Sequence, residues 1–274
     1  MSLSYKTELA FAKNLALEAG GIMRQYFKSE ELGTDWKEDN TPLTVADTTI
    51  NKLVIEQVKA AFPKHGILGE EESYKPEREN IWVVDPIDAT VPFSLGMPVS
   101  TFLLALVNRK DGQPVVAVTY DPFLEELFHA TKGGGSFVND QPIITSQAQD
   151  LTNEYVFLGL SSLQVEGGSY SPSRALLDLQ ARGAKVFNIQ SGAYFHNRIG
   201  AGQLVGAIVA KIGGAWDVAA TALIVQEAGG IVTDLRGEQR RFDELGTGCI
   251  FAANQTIFDQ LMEVTRATYE NSRD

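Results

Sequence analysis

Pro86 falls where the apolar run Trp82-Val83-Val84 would otherwise continue as a buried strand. A proline gives no backbone N–H to a ladder, so a central strand has to break or turn there. The break places Asp85 and Asp88, three residues apart, on irregular backbone at a strand's end, ahead of Ala89 and Thr90. Carboxylates grouped on an open turn suit a hard divalent cation, which takes oxygen ligands. Two ordinary turn aspartates would produce the same short pattern.

The rest of the chain alternates helix and strand signals. Phe11, Leu15 and Ile22, flanked by Ala12, Ala16, Ala19, Met23 and Phe27, recur every three or four residues and predict an amphipathic helix. A charged stretch, Glu30 to Asn40, reads as an exposed loop or ribbon. A second helix is expected over Val45 to Phe62, with Ile50, Val54, Val58 and Ala61 as its buried stripe. Thr44 and Asp47 match a capping box at its start, and Pro63 marks its stop. Short strands follow at Gly66–Gly69, Ile81–Val84, Thr101–Val107, Val115–Tyr120, Leu127–Thr131 and Gly135–Val138, with a turn at Asn139-Asp140. Beyond these, strands at Glu154–Leu160, Lys185–Ile189 and Leu204–Ala210 alternate with helices at Ser173–Arg182, Ser191–Ala201 and Asp217–Ala228. Gly229-Gly230 stops the last of these helices, and a final helix runs from Ile257 to about Tyr269. The fold class is mixed α/β and layered. Turn-rich sequence at Thr145 to Asp150 divides the chain into a half of residues 1–148 and a half of residues 149–274.

Composition limits the partners. The 274 residues carry 23 Lys+Arg against 35 Asp+Glu, a net charge of −12, which argues against binding a nucleic-acid duplex or an anionic membrane. The run Phe102 to Val107 is far short of the ~18 apolar residues of a membrane span. Glu8, Lys13 and Glu18 break up the N-terminal apolar pattern, so no signal peptide is read there. A single cysteine, Cys249, fits a reducing compartment, and a cytoplasmic location is expected. Cys249 and the scattered His65, His129 and His196 read as packing residues, and Gly133-Gly134-Gly135 reads as a hairpin turn.

Three further acidic positions recur at element ends: Asp47, Glu70 in the run Glu70-Glu71-Glu72, and Asp217 after Trp216. Each alone has a plain explanation as a helix cap or a solvated face. Brought together with Asp85 and Asp88, each close pair would repel by about 4 kcal/mol at ~4 Å and an effective dielectric of ~20. Such a group needs bound cations or raised pKa values. Cations would also invert the local field of an acidic protein for an anionic substrate.

These segments, in order and at matching spacing, resemble the inositol monophosphatase-like, Mg2+-dependent, lithium-sensitive phosphatases. The resemblance rests on Asp39 to Asp47, on Phe62 to Glu71, on Trp82 to Thr90, and on Trp216 to Ala220 running on to Glu227-Ala228-Gly229-Gly230. It implies a five-layered αβαβα sandwich of the sugar-phosphatase (inositol monophosphatase/fructose-1,6-bisphosphatase) type, a homodimer, and a small phosphorylated metabolite as substrate. By position it implies two or three Mg2+ ions on Glu70, Asp85, the carbonyl of Ile87, Asp88 and Asp217. Thr90 and Asp47, assisted by Glu70, would orient and deprotonate the attacking water, and the amides of Ala89 and Thr90 would hold phosphate. Ala193 and Lys211 fall in the segments that contact the alcohol.

The chain departs from the family pattern at several of these places. Ala89 stands where the family has glycine, and Val91-Pro92 where it has Thr-Asn. Ala210 replaces the glutamate that holds inositol hydroxyls, beside Lys211, which could meet a second anionic group. A bisphosphate such as 3′-phosphoadenosine 5′-phosphate or fructose 1,6-bisphosphate, histidinol phosphate, and a regulatory or binding role on the same scaffold stay open beside a polyol or sugar monophosphate.

Overall fold

The structure is a computed structural model that describes residues 5–37, 42–160, 163–165, 168–244 and 248–270. Asp39, Asn40 and Thr41 of the first motif lie outside the described residues. The elements run α1 (Lys6–Tyr26), β1 (Thr34–Trp36), β2 (Pro42–Thr44), α2 (Val45–Ala61), β3 (Gly66–Gly69), β4 (Asn80–Asp88), α3 (Thr90–Ser94), β5 (Thr101–Asn108), β6 (Gln113–Asp121), β7 (Glu126–Thr131), β8 (Gly135–Val138) and β9 (Gln141–Pro142). They continue with β10 (Tyr155–Leu158), β11 (Leu163–Val165), β12 (Gly168–Tyr170), α4 (Pro172–Ala181), β13 (Lys185–Phe187), α5 (Gly192–Gly200), β14 (Gly206–Val209), α6 (Ala219–Glu227), β15 (Ile231–Asp234), β16 (Cys249–Ala252) and α7 (Gln255–Glu270).

Two sheets organise them. Strands β3 to β9 form a seven-stranded sheet in chain order, antiparallel except for the parallel pair β3 and β4. The second sheet has the order β13-β10-β14-β16-β15. Strand β4 shows why layers form on both sides. Ile81 and Val83 face one way and Trp82 and Val84 the other, and all four are buried. A strand with two apolar faces must be covered twice. On one face α1 and α2 supply Leu15, Met23, Ile50 and Val54. On the other, α5 and α6 lie between the two sheets, and Phe157, Ala207 and Phe251 close over them from the second sheet. Helices α4 and α7 cover the far face through Leu179 and Leu261. The order is helix, sheet, helix, sheet, helix, the five layers expected. Helix α6 is buried at every position from Ala219 to Val225, as a helix held between two sheets has to be.

Most predicted elements are present, with informative differences. The charged stretch does form a ribbon, β1 pairing antiparallel with β2. Ala61 is exposed, because α2 reaches past the sheet at its last turn. The predicted helix from Asp217 is a 3-10 turn, Ala215–Asp217, followed by α6. Proline does not end β4: the ladder pairs Asp85 with Leu103, slips, and resumes with Asp88 opposite Thr101. Pro86 and Ile87 thus oppose the single residue Phe102, a bulge that leaves Pro86 outside the ladder pairs. The glycine hairpin is held from outside, since Glu227 accepts hydrogen bonds from the amides of Gly133 and Gly135. No helix among the described residues is long and apolar enough to cross a membrane.

Helix α1 supplies a paired test of packing. A Cβ on Gly20 would lie 2.3 Å from Cε1 of Tyr120 on β6, whereas one on Gly21 would meet nothing within 4 Å. Gly21→Ala is expected to raise stability by about 1 kcal/mol. Gly20→Ala is expected to lower it by about 1–3 kcal/mol. Urea denaturation of both variants measures the two signs.

Candidate active site

The bulge in β4 sets out the first two carboxylates. Asp85 is buried, and its Oδ1 accepts the amide of Ile87 at 2.9 Å, closing the slipped segment on itself. Asp88, past the bulge, accepts the amide of Ala193 at 3.1 Å from the first turn of α5. Asp217 arrives from the other half of the chain on its 3-10 turn, with Oδ2 held by the amides of Gly213 and Gly214. Glu70 follows β3 and is tied to β4 by its amide, which donates to the Val84 carbonyl at 3.2 Å. Asp47 completes the capping box of α2: its Oδ2 accepts from the amide of Thr44 at 2.9 Å and from the Thr44 hydroxyl, while Oδ1 is buried without a partner.

Glu70, Asp85, Ile87, Asp88, Thr90 and Asp217 line one cleft of about 190 Å³ with Ala89. Asp47 is fully buried and is not among the residues that line it. Asp88 and Asp217 also border a second pocket of about 440 Å³, with Lys211 on its wall. Ala193 is fully buried and gives its amide to Asp88. The carbonyl of Ile87 accepts the Thr90 hydroxyl at 3.0 Å. Ala89, which caps α3, has φ 69° and ψ 49°, left-handed geometry in which a Cβ is strained. This is the conformation that glycine adopts freely.

The electrostatics follow from burial and crowding. Burial, then Glu70, Asp88 and Asp217, hold the Asp85 carboxyl well above the usual range. Burial and the charge of Asp217 push Asp88 up to about 8, against the opposing amide of Ala193. Burial and Glu70 push Asp217 up to about 7, and burial pushes Asp47 up to about 7. One cation already answers this field. Lys37 Nζ lies 2.7 Å from both Glu70 Oε1 and Glu71 Oε1. Burial works against its charge, but the hydrogen bonds and attraction of the two glutamates outweigh it and keep it protonated.

The donors are oxygen throughout, the chemistry of a hard divalent cation, and a cation would relieve the repulsion that raises these carboxyls. Among the described residues no three His, Cys, Asp or Glu stand as a ready-made cage. Amides hold Asp85, Asp88 and Asp217 and Lys37 holds Glu70 on one cleft lined by oxygen donors, which is the donor type such a cation takes. Sequence reasoning missed Lys37, which sat in a stretch read as solvated. It also gave His196 only a packing or capping role, although the ring borders the second pocket.

The chain is similar to known proteins along nearly its whole length. Residues 4–270 match the model of the inositol monophosphatase family. A histidinol-phosphatase of Chlorobaculum parvum is 32% identical over 249 residues, covering 90% of this chain and 92% of its own. A Nus factor SuhB of Xylella fastidiosa is 30% identical, covering 91% and 90%. An inositol-1-monophosphatase of Mesorhizobium japonicum is 28% identical, covering 92% and 93%. Among solved structures, the suhB protein of Bartonella henselae superposes with a TM-score of 0.85 at 27% identity, covering 95% of this chain and 99% of its own. An IMPase of Thermotoga maritima also reaches a TM-score of 0.85, at 25% identity, with 97% and 99% covered.

Two predictions come from the site. Asp47 and Asp217 rise to about 7 and Asp88 to about 8 in the folded chain, from an ordinary value of about 3.9. Between about pH 4 and pH 8 the folded state therefore binds more protons than the unfolded state, so stability falls as pH rises through that window. In EDTA-treated protein Tm should be higher at pH 5 than at pH 8, and Asp88→Asn should flatten the slope. The second concerns Ala89. Left-handed geometry costs a residue with a Cβ about 1–2 kcal/mol, while glycine adds about 0.4–1 kcal/mol of unfolded-state entropy. The first effect is larger, so Ala89→Gly should stabilise the fold by about 0.5–1 kcal/mol in urea denaturation.

Proposed function

The chain belongs to the inositol monophosphatase family, and from that premise we propose that it is a Mg2+-dependent phosphatase. Its substrate is the phosphate monoester of a small polyol, sugar or nucleotide, and it works in the cytoplasm as a homodimer. The observation that carries the proposal is the convergence of Glu70 after β3, Asp85 and Asp88 on β4, and Asp217 on its 3-10 turn on one cleft whose wall continues into Ala89 and Thr90. Uncompensated, that arrangement only costs stability; an anionic substrate and its counter-ions give it a use.

Glu70, Asp85, Asp88, Asp217 and the carbonyl of Ile87 would hold two or three Mg2+ ions. Bound there, Mg2+ supplies Lewis-acid stabilisation of the charge on the phosphoryl oxygens. The chain's own part is positioning. The amides of Ala89 and Thr90 meet phosphate oxygens. The Thr90 hydroxyl, whose proton points to the Ile87 carbonyl, offers its lone pairs to the attacking water. Glu70, which lines the cleft, takes the proton that this water releases, and Asp47, buried outside the cleft lining, adds to the negative charge that favours the transfer. Water adds its oxygen to phosphorus, the bond from phosphorus to the alcohol oxygen breaks, and the alcohol leaves with the proton that Glu70 returns, the water's other proton staying on the phosphate.

Lys211 favours a second reading, a bisphosphorylated substrate. It is exposed on the wall of the second pocket, and no ion pair of it is recorded among the described residues. A binding role without turnover is the rival. Phosphate release from inositol 1-phosphate, histidinol phosphate, fructose 1,6-bisphosphate and 3′-phosphoadenosine 5′-phosphate, each with and without Mg2+, ranks the substrates. Release that needs Mg2+, and that drops by a thousandfold or more in Asp88→Asn and Asp217→Asn, is the expected result. Equal activity in either variant would overturn the metal assignment.

A further inference from the structure

The 440 Å³ pocket beside the carboxylate cleft has a polar group in its wall with an unfilled hydrogen bond. Asn188 also lines the pocket but is engaged at both ends: its Nδ2 donates to the Leu158 carbonyl at 2.7 Å, and its Oδ1 accepts the Gln190 amide at 3.0 Å. His196, on α5, is different. It is 1% exposed, and its Nε2 is buried with no partner. The ring cannot easily turn away. It stacks on Phe251 with centroids 3.9 Å apart and meets Phe157 edge-on at 6.0 Å.

Nδ1 lies 3.3 Å from the Thr221 hydroxyl, which also lies 3.2 Å from the Val218 carbonyl. A hydroxyl has one proton; we take the tautomer in which it goes to Val218, so that the oxygen accepts from Nδ1–H and Nε2 is a bare acceptor. Cε1, the ring carbon bonded to both nitrogens, lies on the side of Gly192: a Cβ built on Gly192 would lie 3.5 Å from His196 Cε1 and 4.0 Å from Asp88 Oδ1. Gly192 and His196 line the same pocket.

We propose that Nε2 of His196 accepts a hydrogen bond from a hydroxyl on the alcohol half of the ester, so that His196 determines specificity for esters with a free hydroxyl close to the phosphate. The inference rests on the phosphatase reading and adds the group that discriminates among its substrates. An ester without that hydroxyl leaves a buried acceptor unpaired, which is how a polar site rejects an apolar analogue.

Glycerol 2-phosphate and isopropyl phosphate have the same branched carbon skeleton and differ in the hydroxyls, and so they form the test pair. In the full chain with Mg2+, His196→Phe keeps a ring against Phe251 and removes the acceptor. It is expected to lower kcat/KM for glycerol 2-phosphate about tenfold and to leave isopropyl phosphate within twofold. Thr221→Val, which releases the Nδ1 proton, should move the same preference less. Equal loss on both esters, or an unchanged preference, overturns the proposal. Imidazole 15N spectra of the wild-type chain without Mg2+ read the contact independently of turnover. The Nε2 resonance should shift with glycerol 2-phosphate and not with isopropyl phosphate, and no difference between the two would overturn the proposal even if the variant failed to fold. If neither ester is cleaved, the spectra alone decide the role of His196, and the phosphatase reading is decided by phosphate release from the four-substrate panel.

Discussion

Asp47, Glu70, Asp85, Asp88 and Asp217 repel one another across the end of β4, and the surrounding backbone is arranged to hold them against that repulsion. Amides of Ile87, Ala193, Gly213 and Gly214 each grip one carboxylate oxygen, and Thr44 grips Asp47 from the helix cap. None of these grips neutralises charge. They fix positions, and a site built to meet ions needs fixed positions more than it needs neutrality. Lys37 is the exception, a full positive charge set between Glu70 and Glu71.

The five layers explain why the grips come from so many elements. Asp85 and Asp88 belong to the seven-stranded sheet, whereas Ala193 and Asp217 belong to the segments packed between it and the second sheet. The site forms where these layers meet, and it needs residues as far apart in the chain as Glu70 and Asp217. The apolar layer that joins them, with Val83 and Leu103 on one side and Phe157 and Phe251 on the other, serves as its foundation.

Much of this could be read in the residues. The spacing of Leu15, Ile50 and Val54 and the Thr44 to Asp47 capping box report local rules that the fold obeys. The acidic positions could be named because they fall at element ends. What could not be read depends on distant partners. Lys37 looks like any solvated lysine until the ribbon lays it against Glu70, 33 residues away. His196 looks like any core histidine until the fold engages Nδ1 with Thr221 and leaves Nε2 buried without a partner. Pro86 was expected to end its strand, because proline's missing N–H is a local fact, whereas a bulge requires a neighbouring strand to slip against.

That bulge also bears on the order in which the molecule commits itself. Ile81 to Val84 are apolar on both faces, so burial alone does not tell β4 which way to face, and a slip of one residue would still bury them. The slipped pair between Asp85 and Asp88, closed by the Ile87 amide on Asp85, removes that freedom. The residues that would carry the chemistry therefore also act as the registration mark of the central sheet. A change there alters the alignment of the scaffold together with its reactivity, and the two can be separated only by substitutions that keep the backbone and change the charge.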